Sequence, residues 1–361
     1  MSDLRILFLT EDNLNTQRSG AVRIYPLSKE LEKHGVKSEI VSPSHIHFHN
    51  PLRKHLLRHD LKNYLKLITT RENFDVLYVS RISSLTVLLI QKLWKKSGKK
   101  VIFDLDDPLF LRSNPLFFLK GRALLYLDIE RVTINSDAVI VSSHYIMRYT
   151  KSLNEKSYLI HTPVSTKVFH PKKRKEHDKI TIGWVGVAPG HLPNLKMLVN
   201  PLLKLGKEYD LNFKIISYLG EQKVKKLFRP LETFMGVDYG FEHFIPYDNL
   251  PDVMSDVDIF VAPLQPTPLN IGKSVIRIAM AMAMGLPVIV SPLSEYQHFI
   301  KNDVNGLFAK NEKEWISNLR LLIQDDDLRK RIGKEGRKSV EKEASLEVCG
   351  KKLLEIIQLL D

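Results

Sequence analysis

The chain has 361 residues, 43% of them apolar and 26% charged. That is enough for two domains with their own cores, and it excludes a wholly disordered protein. The one cysteine, Cys349, excludes a disulfide framework and any zinc site built from several cysteines. It suits a reducing compartment, so we expect a cytoplasmic protein.

No part of the sequence is expected to direct secretion or to span a membrane. The N-terminus leads at once into the strand-like residues 6–9, without the basic and apolar regions of a signal peptide. The longest apolar run, residues 278–290, is interrupted by Gly285 and Pro287. It is shorter than the ~20 residues that a membrane-spanning helix needs.

The charge is basic and unevenly distributed. Lys and Arg number 54 against 41 Asp and Glu, a net charge of +13. Residues 1–165 carry +9 and the rest of the chain +4. A basic N-terminal half indicates an anionic partner, such as a membrane surface, a phosphorylated substrate or nucleic acid, or else a solubilising surface.

In the first half, short runs rich in Val and Ile alternate with helical patterns, which favours a parallel sheet covered by helices. The helical patterns cover residues 22–34, 85–96 and 121–133. The predicted strands are Arg5–Thr10, Ser38–Ser42, Val76–Ser80, Val101–Leu105, Ala138–Ser142 and Tyr158–His161.

The second half repeats this alternation. Helical patterns cover residues 195–207 and 274–284, and residues 312–361 are predicted to be mainly helical. The polar stretch 167–178 lacks periodicity and is predicted to be a linker between domains 1–166 and 179–345. We therefore predict an α/β protein with two doubly wound, Rossmann-like domains and a cleft between them. The predicted strands are Ile180–Gly186, Phe213–Leu219, Asp258–Pro263 and Pro287–Ser291.

Ligands of such sheets bind beyond the carboxyl ends of the strands, so polar residues just after each strand are the first candidates for chemistry. Gly20 lies between the first strand and the first helix, where a glycine lets backbone N–H groups approach a phosphate. The segment has no G-x-G-x-x-G pattern, and an ordinary strand-to-helix turn explains it equally well.

Three carboxylates, Asp104, Asp106 and Asp107, stand at the end of the strand 101–105. Close carboxylates repel one another, so such a cluster indicates either a functional role or full exposure to water. They could accept hydrogen bonds from substrate hydroxyls, act as a general base or bind Mg²⁺. Capping of the next helix by Asp106 or Asp107 is the structural alternative.

The segment 267–277 follows the strand 258–263 and opens an apolar helix. Lys273 and Arg277 are four residues apart, which predicts that both lie on one face near the helix start. Two cations near the helix N-terminus are unfavourable, because the helix dipole is positive at that end. A bound diphosphate would offset this repulsion. The alternative is two solvated surface cations. The five residues before Gly272 lack the first glycine of a P-loop.

Two further motifs are less specific. His45, His47 and His49 alternate and could bind a metal, but nothing nearby supports it, and a loop is the simpler interpretation. The segments 51–68 and 114–122 combine basic and apolar residues, as elements that lie on anionic lipid do. A core-facing helix with a solvated basic face is the alternative.

The C-terminal half resembles the nucleotide-sugar-binding domain of GT-B glycosyltransferases, close to the large retaining family 4. The N-terminal half resembles them more loosely, through Gly20 with Arg23, Leu31 with His34–Gly35, and Asp104–Asp107. The resemblance is strongest over residues 256–307. The matching pieces of the second half are Ile182–Gly186, Asp258–Leu264, Asn270, Lys273–Ser274, Arg277, Ala283–Ser291 and Asn305–Leu307.

The resemblance implies a final helix, residues 346–361, that crosses back to the first domain. It implies sugar transfer from a nucleotide sugar to a glycan or lipid-linked acceptor, with retention, without a metal and with no other cofactor. Membrane contact at the inner face is a further expectation, and nucleic-acid binding is not expected because no such motif accompanies the charge. The candidate catalytic residues are Asp106, Asp107, Lys273 and Arg277. The candidate donor-binding residues are Gly20, Arg23, Gly186, Asn270, Lys273, Ser274 and Arg277.

The sequence departs from the family pattern at its paired glutamates, which align with Gly272 and Met280. The second glutamate of the family holds the ribose, and a methionine cannot accept hydrogen bonds from hydroxyls well. This leaves a second hypothesis open, in which an inactive GT-B protein serves as a binding or scaffold subunit.

Overall fold

The computed structural model describes residues 4–10, 20–42, 67–112, 129–172, 179–217, 220–240 and 245–360. These residues form two compact units. The first unit holds the described residues up to Pro163, the segment Gly272–Ser274 and the residues from Leu346 on. The second holds Val164–Ile271 and Val275–Ser345.

The change from the first unit to the second comes earlier than the predicted linker 167–178. Val164 and Phe169 are completely buried in the core of the second unit, so the residues from 164 to 172 pack with that unit instead of connecting two domains. The apolar side chains at these two positions were not given weight beside the basic run that follows them.

The first unit is built on a six-stranded parallel sheet with the order β2-β1-β3-β4-β5-β6. Its inner strands are apolar on both faces because helices cover both sides, as the continuous Val- and Ile-rich runs predict. The chain order reverses between β1 and β3, which makes that edge the switch point of the sheet. The strands are β1 (Arg5–Thr10), β2 (Lys37–Val41), β3 (Val76–Ser80), β4 (Lys100–Leu105), β5 (Ala138–Val141) and β6 (Ser157–Leu159).

Helices of the first unit pack on this sheet, and a π-helix, Gly20–Ile24, leads into the first of them. The predicted helix 121–133 is described only from residue 129, and its first part lies outside the described residues. The described α-helices are α1 (Tyr25–Lys33), α2 (Leu85–Lys96), α3 (Ile129–Asn135), α4 (His144–Lys151) and, from the end of the chain, α14 (Leu346–Gln358).

The last helix, α14, packs on the first unit, which confirms the predicted crossover. Its apolar face, including Leu353 and Ile357, joins the core around β1 and α1. Gly350 allows the close approach, because a Cβ there would meet the Glu30 side chain at 2.5 Å. The first unit therefore needs residues from both ends of the chain.

Cys349 provides a direct probe of this docking. Its thiol is fully buried on α14, and burial raises its pKa to about 12. Because the thiolate is the reactive form, we expect alkylation of the native chain to be about a thousandfold slower than that of the urea-unfolded chain. Mass spectrometry of iodoacetamide-treated protein measures this directly. Equal rates in the two states would contradict the docked position of α14.

The second unit has its own six-stranded parallel sheet, with the order β12-β11-β10-β7-β8-β9. This is the strand order of a dinucleotide-binding Rossmann sheet, and its switch point lies between β7 and β10. Two strands of this sheet, β9 and β12, were not predicted. β9 contains two glycines and little apolar character, and β12 has only two residues. The strands are β7 (Ile180–Val185), β8 (Leu211–Ile216), β9 (Gly236–Gly240), β10 (Ile259–Ala262), β11 (Val288–Val290) and β12 (Leu307–Phe308).

The helices of the second unit bury two apolar faces against this sheet. The single helix predicted over 195–207 is in fact two helices, α5 and α6, which meet near Leu198. The described helices are α5 (Leu192–Lys196), α6 (Val199–Gly206), α7 (Glu221–Phe228), α8 (Leu250–Val253), α9 (Pro268–Ile271), α10 (Ile276–Ala283), α11 (Ser294–Phe299), α12 (Glu312–Gln324) and α13 (Asp326–Glu343).

Candidate functional site

The switch point of the second sheet carries an arginine where β7 ends. Gly186 follows β7 directly, and Arg277 is the second residue of α10. A Cβ at position 186 would lie 3.0 Å from the Trp184 ring and 3.4 Å from Arg277 Cζ. The glycine therefore leaves the space that the guanidinium occupies beside the carboxyl end of the strand.

The Arg277 guanidinium lies beside an aromatic ring and an imidazole. Its centre lies 5.3 Å from the centroid of the Trp184 ring, and its NH2 nitrogen lies 2.7 Å from His191 Nε2. Burial lowers the pKa of the Arg277 guanidinium, and the nearby Tyr296 partly opposes this. An arginine stays charged even so, because its ordinary pKa is far above neutral.

The charge of Arg277 has no counter-ion within the part of the chain that the structure describes. No carboxylate there forms an ion pair with it, and its NH1 nitrogen is buried without a hydrogen-bond partner. A buried cation that lacks a partner is costly, and an anionic ligand would remove that cost. These surroundings make Arg277 a candidate for binding an anionic ligand.

A chain of polar side chains supports the residues around Arg277. Asn270 Nδ2 donates to the Gln265 carbonyl, 2.9 Å away, and to Asn194 Oδ1, 3.1 Å away. Asn194 Oδ1 also accepts from the Gln265 backbone N–H at 2.9 Å. Asn194 Nδ2 lies 2.9 Å from His191 Nδ1. Asn270, predicted as a donor-binding residue, thus belongs to the same cluster as Arg277.

Gly186, Asn270 and Arg277 were predicted from the sequence, whereas His191 and Asn194 were not. Both are almost fully buried, at 8% and 2% exposure. They follow the end of β7 by a few residues, the position in which polar groups were sought, so the signal was present in the sequence. Position alone did not distinguish the two residues, because the partners that they contact, Gln265 and Arg277, are distant in the chain.

Gly186 gives a prediction about this arrangement. In Gly186→Ala, the added methyl group must displace the Trp184 ring or the Arg277 guanidinium. We expect a loss of about 1–3 kcal/mol in the free energy of unfolding, typical of overpacking, together with weaker anion binding. Urea unfolding and calorimetry with inorganic diphosphate measure the two effects. A variant that binds diphosphate as the wild type does would contradict the close packing.

In the first unit, Arg23 requires a correction. The side chains of Arg23 and Asp104 are both completely buried and form an ion pair with N–O distances of 2.8–3.1 Å. Arg23 NH1 also donates to the Ile160 carbonyl at 3.0 Å. Arg23 is therefore a structural residue that links the π-helix Gly20–Ile24 to β4 and does not contact solvent, and we withdraw it from the donor-binding set.

The two carboxylates that follow, Asp106 and Asp107, both approach an arginine that sequence reasoning missed. Arg81 NH1 lies 3.2 Å from Asp106 Oδ1 and 3.5 Å from Asp107 Oδ2. Arg81 follows β3 with a φ of +70°, a conformation that costs energy in a non-glycine residue and is often found at functional sites. The carboxyl edge of the first sheet therefore holds a compact charged cluster.

Lys273 groups with the first unit and joins this cluster. Its Nζ lies 3.2 Å from Asp107 Oδ1, and Ser274 beside it is half-buried. The prediction that Lys273 and Arg277 share a helical face was wrong, because α10 begins only at Ile276. Gly272 lies against Pro108, where a Cβ would clash at 2.6 Å, so this segment stays in contact with the strand-end loop and is not helical.

Of the other positions singled out in the sequence, some belong to the residues that the structure describes and some do not. Gly20 is buried at the start of the π-helix. Met280 is 7% exposed and packs in the core of the second unit. The residues His45, His47 and His49, the range 51–66 and the range 114–122 lie outside the described residues.

Two kinds of feature are absent from the residues that the structure describes. No group of three or more His, Cys, Asp or Glu side chains there could hold a metal ion. Within the same residues, no helix has the length and apolar character needed to cross a membrane.

A known family model matches most of the second unit. Residues 166–339 match the family model described as glycosyl transferases group 1. No curated protein sequence matches the chain.

Solved structures match nearly the whole chain at low sequence identity. A glycosyltransferase from Rickettsia africae is 17% identical, with a TM-score of 0.69, over 100% of this chain and 99% of the other. Sucrose-phosphate synthase from Thermosynechococcus elongatus is 14% identical, with a TM-score of 0.71, over 99% of each chain. HepE from Anabaena, solved in complex with UDP, is 14% identical, with a TM-score of 0.69, over 98% of this chain and 100% of the other. The chain therefore has the two-domain GT-B fold, and the part of its second unit from residue 166 to residue 339 is similar to the group 1 glycosyl transferases.

Proposed function

We propose that the chain transfers a sugar from a nucleotide-sugar donor to a glycan or lipid-linked acceptor, with retention and without a bound metal. The observation that carries the proposal is Arg277, a half-buried cation whose buried NH1 nitrogen has no partner among the described residues, at the switch point of the second sheet. The donor's diphosphate fits this position in charge and in hydrogen-bonding capacity. Gly186 and Asn270 belong to the same donor site.

The choice of a nucleotide diphosphate is supported by the structural neighbours. HepE has been solved with UDP, with UDP and glucose, and with UDP-glucose. Uridine nucleotides are therefore the first probes for this chain. In this proposal the second unit stabilises the negative charge that develops on the leaving diphosphate, which is the main electrostatic task of such a reaction.

The charged cluster of the first unit would serve the acceptor. Asp106 and Asp107 can accept hydrogen bonds from acceptor hydroxyls while Arg81 and Lys273 offset their charge. In the retaining step, the bond from the anomeric carbon to the diphosphate oxygen breaks, and the acceptor oxygen bonds to that carbon. The acceptor's proton passes to the leaving diphosphate, so no enzyme group has to take it up.

The test is release of free nucleotide from a panel of nucleotide sugars, each incubated with the chain and a mixture of glycan and lipid-linked acceptors. We expect release from at least one uridine or other nucleotide sugar, unaffected by a chelator. Strict dependence on Mg²⁺ would contradict the metal-free step and make Asp106 and Asp107 the first candidates for metal ligands. A folded chain that binds no nucleotide would overturn the proposal.

One observation favours a second candidate, an inactive binding subunit. Met280 is buried where the resemblance places the ribose-binding glutamate, and it offers no hydrogen-bond acceptor of comparable strength. Nucleotide binding by calorimetry without nucleotide release in the panel assay would support that candidate.

We further propose peripheral association with an anionic membrane. Among the described residues, Leu89 and Leu93 are 60% and 40% exposed on α2, one turn apart, and Lys92 and Lys96 flank them. An exposed apolar pair with adjacent lysines is typical of surfaces that bind anionic lipid. This face lies in the basic half of the sequence.

We expect the chain to sediment with vesicles containing phosphatidylserine at low salt and to be released by salt. Replacing Leu89 and Leu93 by serine should reduce the bound fraction severalfold, because the apolar contact is lost. Leu321→Ser, an exposed leucine of the second unit, is the matched control. Wild-type protein that stays in the supernatant at low salt would point to an acceptor free in solution.

A further inference from the structure

Two groups that carry no negative charge contact the Arg277 guanidinium. Its NH2 nitrogen donates to His191 Nε2 at 2.7 Å, and a ring nitrogen that accepts a hydrogen bond carries no proton. Its central carbon, Cζ, lies 5.3 Å from the centroid of the Trp184 ring, within the ~6 Å over which an aromatic face attracts a cation. Both contacts restrain the side chain, and neither compensates its positive charge.

This arrangement distinguishes Arg277 from the other arginines of the chain. Of the arginines that the structure describes as buried or half-buried, Arg277 alone has no carboxylate partner. The arginines of this class that do pair with a carboxylate are Arg23, Arg71, Arg81, Arg320, Arg329 and Arg337. A carboxylate partner would cancel most of the charge that an anionic ligand needs, whereas an aromatic ring leaves that charge available.

Trp184 is the more firmly held member of the pair. Its side chain is 0% exposed and belongs to the apolar core that also contains Ile182 and Leu195. The ring edge and the guanidinium meet over Gly186, where a Cβ would lie 3.0 Å from the ring and 3.4 Å from Arg277 Cζ. The ring is therefore a fixed surface that limits the positions open to the guanidinium.

We propose that Trp184 is the positioning residue of the donor site. Its ring holds the Arg277 guanidinium at the carboxyl end of β7 with the charge uncompensated, so that NH1 is placed to donate to an oxygen of the diphosphate. The proposal rests on the proposed nucleotide-sugar function. Because Trp184 is completely buried, it acts through Arg277 and does not touch the ligand.

The wild-type chain provides the first test, without a substitution. Trp184 Nε1 is buried without a hydrogen-bond partner, so its indole N–H resonance should respond to the charge beside the ring. In protein labelled with ¹⁵N-tryptophan, saturating inorganic diphosphate should shift this signal, which Trp184→Phe identifies by its loss.

The other two tryptophans are internal controls for this measurement. Trp315 Nε1 is also buried without a partner, and Trp94 Nε1 donates to the Leu67 carbonyl at 3.0 Å. Neither should shift. Bound diphosphate that leaves the Trp184 signal in place, or that shifts all three signals equally, would overturn the proposal.

Calorimetry with inorganic diphosphate provides the second test. Trp184→Leu keeps an apolar side chain but removes the aromatic face, and it should weaken binding about two- to thirtyfold, the range of a cation–π contact. Trp184→Phe keeps an aromatic face and should recover part of this loss. Trp315→Leu, at another buried tryptophan of the same unit, is the matched control and should bind as the wild type does.

A double-mutant cycle separates positioning from a general loss of structure. In the Arg277→Leu background, Trp184→Leu should cause no further loss of diphosphate affinity, because Trp184 acts only through the guanidinium. Additive losses would contradict the proposal. If Trp184→Leu does not fold, Trp184→Phe and the indole resonance decide.

The outcomes also separate this proposal from the proposed function. If Arg277→Leu loses diphosphate binding and a folded Trp184→Leu does not, Trp184 is not a positioning residue and the donor site remains. If Arg277→Leu binds diphosphate as the wild type does, the donor site itself is wrongly placed.

Discussion

Replacing Arg277 by leucine is expected to weaken the binding of UDP about ten- to a hundredfold and to abolish nucleotide release. The side chain supplies charge-assisted hydrogen bonds to the diphosphate, each contributing roughly 1.5–3 kcal/mol. Because the NH1 nitrogen of the wild-type guanidinium is buried without a partner and the charge has no counter-ion in the described structure, its removal should leave the thermal stability unchanged or higher. Calorimetry and differential scanning fluorimetry measure both quantities.

The control for Arg277 is Lys313→Leu, which removes one positive charge from an exposed position on α12. It should bind UDP as the wild type does, since solvent screens its charge. Arg277→Lys keeps the charge but not the planar set of donors, and we expect intermediate affinity. Equal losses in Lys313→Leu and Arg277→Leu would show that overall charge, and not this site, determines binding.

The second large effect is expected in the core of the first unit. Arg23→Met or Asp104→Leu leaves one buried charge without its partner, and each should lower the free energy of unfolding by about 3–5 kcal/mol. The double variant should lose much less than the sum of the two, because neither charge then remains. Hydrogen exchange of peptides from β1 and β4 in increasing urea measures the stability of this unit separately from the second.

Nucleotide affinity separates the structural role of Arg23 from a role in the donor site. The double variant of Arg23 and Asp104 should bind UDP with wild-type affinity wherever it is folded, since neither side chain reaches solvent. A folded double variant with a large loss in UDP affinity would restore Arg23 to the donor-binding set.

Most of the fold could be predicted from the alternation of apolar strands and helices, because strands buried on both faces leave a strong pattern. β1 and β3 have the predicted bounds, and both sheets are parallel as expected. The pattern failed at β9, whose side chains are half-exposed or exposed between two glycines. It also failed at the start of α10, where packing of Gly272 against Pro108, and not local propensity, sets the boundary.

The candidate site was predicted in part. Arg277 and Asn270 could be located because they follow a strand and resemble a family pattern. Arg23 could not be assigned correctly, because its partner Asp104 is 81 residues away and a sequence does not show which cation a buried carboxylate will meet. His191 and Asn194 were missed for a related reason, since their importance lies in hydrogen bonds to Gln265 and Arg277, which are distant in the chain.

A crystal structure of the chain with a bound nucleoside diphosphate tests the central claim most directly. The account predicts diphosphate density at the carboxyl edge of the second sheet, with a phosphate oxygen within hydrogen-bond distance of Arg277 NH1. Density for the diphosphate at the Arg81 cluster of the first sheet, or at any place away from Arg277, would contradict it.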